Sequence, residues 1–121
     1  MPMIAPTTLP ETVRSLVRRV LTSTSASSSP DLRLAVYEYV AALTRNETPA
    51  AAVPPEADPY LRKVALNAYK VLDREVDAIQ AAGYTVDDVF EMTVAAAVSA
   101  GVTRMEIALT ALTGVDDAAA S

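Results

Sequence analysis

Cysteine, histidine and tryptophan are all absent from this 121-residue sequence, glycine occurs three times and phenylalanine once. Without cysteine there can be no disulfide, thiolate metal site, thiol peroxidase chemistry or cysteine nucleophile. Without histidine, the usual general base near neutral pH and the commonest metal ligand are missing. Any acid–base catalyst must be a carboxylate, a lysine or a tyrosine whose pKa is displaced by burial or a neighbouring charge. A metal would need a carboxylate cluster, and no loop carries the alternating aspartates of a calcium site. Gly-rich phosphate loops, nucleotide fingerprints and serine elbows are missing too. The expectation is no cofactor and no metal.

What remains is 51% hydrophobic, with much of that alanine and valine, so the core must be built from small aliphatic side chains. A chain of this length fits one domain. The net charge of −5 argues against nucleic acid or an anionic membrane as the main partner. Residues 1–72 hold eight basic and six acidic side chains, residues 73–121 two basic and nine acidic. That asymmetry fits solvated helix faces or complementary charge across a subunit interface. The opening MPMIAPTTLP has neither a basic region nor an apolar run, so no signal peptide is expected. The longest uncharged run, Met92 to Thr103, is too short for a bilayer. A cytoplasmic protein is the expectation.

Helix signals recur along the chain. Thr8-Leu9-Pro10-Glu11 reads as a capping box for a first helix from about Leu9 to Leu21. Thr22 to Ser29, rich in Ser and Thr, reads as a mobile loop. Ser29-Pro30-Asp31 starts a second helix ending near Asn46, with Leu32, Ala35, Val36, Tyr39, Val40 and Leu43 as its buried stripe. Glu47 to Ala57, with Pro49, Pro54 and Pro55, reads as an extended connector. Asp58-Pro59 caps a third helix running to the stop at Gly83. Thr85 with Asp87 and Asp88 caps a fourth, with Val89, Phe90, Val94, Ala97 and Val98 among its apolar positions. After Gly101 two readings stand: a new helix capped at Thr103, or, preferred, one long helix to about Gly114. No stretch alternates like a strand. The predicted fold is a single-domain, all-α helical bundle of four to six helices. Its parts are an N-terminal pair (1–46), the connector (47–57), a core hairpin (58–114) and a flexible tail (115–121).

Candidate site residues gather on the second half of the third helix. Lys70, Asp73 and Asp77 share one side by helical spacing, the ordinary pattern of a charged face. Glu75 is different: Val71, Leu72, Val76 and Ile79 place it at the edge of the buried stripe, where a carboxylate needs a partner such as Lys70, Arg104 or a subunit's arginine. It reads either as a general base or ligand-orienting acid, or as half of a structural ion pair. Tyr69 could bond Asp73 or line a pocket. Arg14, Arg18 and Arg19 read as the wet side of an amphipathic helix, with an anion site as the alternative. Ala96-x3-Ala100 and Ala97-x3-Gly101 put small residues one turn apart, which lets another helix come close.

The long helix, the Ala82-Gly83 stop, the Thr85 cap and the small-residue helix bearing Arg104 together resemble the core of the alkylhydroperoxidase D and carboxymuconolactone decarboxylase family. In that family the first helix carries Cys-x-x-Cys-x-x-x-His. The frame set by Gly83 puts those positions at Ala68, Val71 and Glu75, so the redox residues are replaced. The resemblance covers residues 58–114 and implies an all-helical fold assembled as a trimer or hexamer. It implies a non-redox role, binding a small molecule or a partner protein. The alternatives are a decarboxylase- or isomerase-like enzyme, with Glu75 as acid–base, Tyr69, Lys70 or Arg104 orienting an anionic substrate and Asp73 a further candidate ligand-binding residue, and a purely structural helical module.

Overall fold

A computed structural model describes residues 9–70 and 73–120, without the side chains of Tyr69 and 115–120. Among the described residues five α-helices follow in order: α1 (Glu11–Thr22), α2 (Pro30–Thr44), α3 (Asp58–Leu66), α4 (Asp73–Ala81) and α5 (Val86–Ala120). A three-residue 3-10 turn at Ala68–Lys70 lies between α3 and α4. No strand occurs among the described residues. The fold is therefore an all-α bundle. α2 and α5 form the central pair; α3 packs on both, α1 covers α2 and α5, and α4 lies on α3 and α5.

Local chemistry explains the starts of α2 and α5. The Ser29 hydroxyl accepts from the Leu32 N–H at 3.1 Å, and Pro30 fills the first helical position of α2. At α5 the capping box is reciprocal: Asp88 N–H donates to the Thr85 hydroxyl at 3.0 Å, and Thr85 N–H to the Asp88 carboxylate at 2.9 Å. Thr8, expected to cap α1, lies outside the described residues; Glu11 pairs with Arg14 at 2.9 Å. Asp58 is not the cap of α3, because Ala57 takes that position. Its carboxylate instead accepts from the Tyr39 hydroxyl and from Arg62.

Two expectations about helix length need correction or decision. The third helix does not run from Asp58 to Gly83; it stops at Leu66, and α4 begins at Asp73. Asn67 takes φ −151° and ψ 59°, off the helical path. The Ala65 carbonyl, which a continuous helix would bond to residue 69, accepts from Arg104 Nη2 at 2.6 Å. A tertiary donor thus caps α3. The choice after Gly101 falls to one continuous helix, which runs past Gly114 to Ala120.

The core is small-residue and aliphatic, as composition requires. Val36, Val40, Leu61, Ile79, Met92, Ala95 and Ala96 are fully buried in one cluster. Ser99 donates to the Tyr37 carbonyl at 2.6 Å, tying α5 to α2 where their backbones come close. Gly83, at φ 108°, ends the α4 turn in a conformation that favours glycine.

Candidate functional site

Glu75 lies in the first turn of α4, where a carboxylate suits the helix dipole. Its side chain is 11% exposed and meets the Lys63 ammonium at 3.0 Å. On a continuous helix these residues would stand ~18 Å apart; the break at Asn67 folds them together. Arg104, one of the partners expected for Glu75, serves the Ala65 carbonyl. Lys70 and Asp73 are exposed at the two edges of the break, and Arg74 beside them is exposed too. The Tyr69 side chain lies outside the described residues. The structure therefore gathers Lys63, Glu75 and Arg104 around the last turn of α3, with Lys63 the member that helical spacing missed. Chemically, the Lys63–Glu75 contact is a satisfied ion pair.

A second polar cluster forms where the α1–α2 loop meets the start of α5. The Glu91 carboxylate accepts from Ser27 N–H at 2.8 Å, Ser28 N–H at 2.6 Å and the Ser28 hydroxyl at 2.5 Å. Ser27 Oγ donates to Asp88 at 2.5 Å. The loop read as mobile is thus clasped onto α5 by two carboxylates. Burial pushes the Glu91 carboxyl up, but the Ser28 hydroxyl, the two loop N–H groups and the Arg33 charge outweigh it and hold the pKa below its ordinary value. The Asp88 carboxyl is also lowered, by the Ser27 hydroxyl and then by the Thr85 N–H.

Arg33 sits behind this clasp, 2% exposed. Its guanidinium donates to the carbonyls of Val20 at 2.6 Å, Ser23, and Ser28 at 3.4 Å, while Nε is buried without a hydrogen-bond partner. It closes the C-terminal turn of α1 much as Arg104 closes α3. A cavity of about 160 Å³ adjoins it between α1 and α5, with Val20, Ala26, Phe90 and Val94 as apolar walls and Arg19, Arg33 and Glu91 also lining it. No group of three or more acidic side chains among the described residues could hold a metal ion.

The third feature is the outer face of α5. Phe90, expected among the apolar positions of this helix, is 66% exposed, and Leu112 is 63% exposed. Val86 and Met105 are exposed with them, and so are Ala97 and Gly101. Val89, Met92, Ala95, Ala96 and Ser99 face the core instead. α5 is apolar on both sides, a pattern that belongs to helices buried all round, yet its own chain covers one side only as far as Thr103, and beyond it no described side chain of α5 is buried. By length and composition Val86–Gly114 could also cross a membrane, with a mean hydropathy of 1.3 in a window that is 39% buried. The sequence signal for this face was present in the apolar positions of α5; their number, too large for one stripe, is what marks it.

Comparison with protein-family models, curated proteins and solved structures finds no significant match to this chain.

Proposed function

We propose that the protein is a non-redox, homo-oligomeric helical module, a cysteine-free relative of the alkylhydroperoxidase D-like family that binds a partner or small molecule in the cytoplasm. The observation that carries this reading is the uncovered apolar side of α5, an exposed strip from Val86 to Leu112. A row of exposed apolar residues of this length, bordered by the exposed charges of Asp87 and Arg104, is characteristic of an interaction face. The uneven charge of the two halves and the net charge of −5 support a protein partner over nucleic acid.

Catalysis at Glu75 is the weaker reading, because Lys63 already occupies the carboxylate. It is favoured only by the low exposure of that side chain, and an anionic substrate would have to compete for Lys63. Sedimentation velocity between 1 and 100 micromolar, roughly the range in which weak and strong assemblies separate, tests the proposal. The expected result is a mass that is a multiple of 12.8 kDa; a monomer throughout would overturn it.

A further inference from the structure

The outer face of α5 follows an eleven-residue rhythm. Val86, Ala97 and Ala108 form one series, Phe90, Gly101 and Leu112 a second, and Val94 and Met105 a third. At roughly 100° per residue all of them fall within an arc of about 100°. Eleven residues complete three turns, so this stripe runs nearly straight along the helix.

The stripe is also complementary to itself about Gly101. Phe90 and Leu112 each stand about 16 Å from that glycine, one on either side. If a second α5 crosses here in the opposite direction, Phe90 meets Leu112, Met105 meets Ala97 and Val94 meets Ala108. Each large side chain then faces a small or apolar one, and the glycine at the crossing permits close approach. Beyond Thr103 no described side chain of α5 is buried, so Leu112 stands on an arm that projects past its own core. Across the crossing it comes to the cavity walled by Phe90 and Val94, about 160 Å³ in volume, a size that can hold a benzene-like group.

We infer that α5 pairs with α5 of a second copy of this chain, antiparallel about a two-fold axis at Gly101, with Leu112 of each copy seated in the other's Phe90 pocket. This rests on the homo-oligomeric reading above and adds its geometry. Charge supports the orientation. A parallel pair would bring Asp87, which borders the stripe, against its own copy, whereas the antiparallel pair sets it against the uncharged Ile107–Val115 stretch.

The absence of cysteine makes cross-linking a clean test. Gly101→Cys fits the fold, since a Cβ there meets no atom within 4 Å. Under mild oxidation Gly101→Cys alone should form a covalent dimer in high yield. Phe90→Cys alone and Leu112→Cys alone should not, and a mixture of the two should cross-link to each other. Circular dichroism of each variant confirms that the fold is kept. A Phe90→Cys homodimer would show a parallel pair and overturn the inference. So would an oligomeric wild type in which Gly101→Cys stays uncross-linked, or a trimer, which has no two-fold axis; either leaves the oligomer reading intact. A monomeric wild type that floats with phosphatidylcholine and phosphatidylglycerol vesicles would assign the face to lipid and overturn both.

Discussion

Arg104 Nη2 donates to the Ala65 carbonyl at 2.6 Å, from 39 residues further along the chain. That contact takes the acceptor a continuing helix would use, and so fixes where α3 ends. Arg104→Ala should cost ~1.5–3 kcal/mol, the range for a hydrogen bond to a charged group lost at a partly buried carbonyl. Urea unfolding followed by circular dichroism reads it. The variant should also show faster amide exchange across residues 63–70, and an unchanged midpoint would contradict the capping role.

Glu91 and Asp88 set the acid limit of the fold. Both carboxyl groups have pKa values lowered in the folded state. Their contribution is fully present above the ordinary carboxylate range of about 4 to 4.5 and is lost as pH falls through the lower folded values. Thermal midpoints should drop below about pH 4.5, and Glu91→Gln should flatten that drop. A Glu91→Gln profile that parallels the wild type would contradict the clasp.

Arg33 is a buried cation whose work is to satisfy the carbonyls of Val20, Ser23 and Ser28. Truncation to Ala strands these acceptors and should destabilise by ~3 kcal/mol. Arg33→Lys should recover only part of it, because one ammonium cannot span the fork. Chemical denaturation of the three proteins side by side gives the order.

Met92 is fully buried at the centre of the core. Met92→Ala should cost ~2–5 kcal/mol through lost burial and the cavity left behind. Phe90→Ala, two residues away, should cost far less in a monomer because that ring is largely exposed. The comparison at low concentration separates the inner face of α5 from the outer. Equal losses would place both faces in the core.

Much of this architecture was legible from local signals. Ser29-Pro30 and Thr85-x-x-Asp88 announce α2 and α5 because their chemistry acts within one turn of the chain. The break after Leu66 was not legible, since no glycine or proline marks it and Arg104, which takes the Ala65 carbonyl there, is distant in sequence. Lys63 as the partner of Glu75 was hidden for the same reason. Glu75 itself was singled out by its apolar sequence neighbours, and the structure shows its side chain 11% exposed and paired with Lys63. Phe90 was placed among the apolar positions of α5 without a side, because periodicity cannot say which of two apolar faces its own chain covers. Arg33, one cation within an apolar stripe, gave no signal of burial at all.

The central claim is that the uncovered face of α5 is a contact between copies centred on Gly101. Sedimentation velocity of the wild type and Gly101→Leu, at matched concentration and with matched circular dichroism, tests it most directly. A leucine there meets no described atom at its Cβ within one chain but blocks close approach of a second helix. The account predicts an even multiple of 12.8 kDa for the wild type and a monomer for the variant. Equal masses for the two proteins would contradict it.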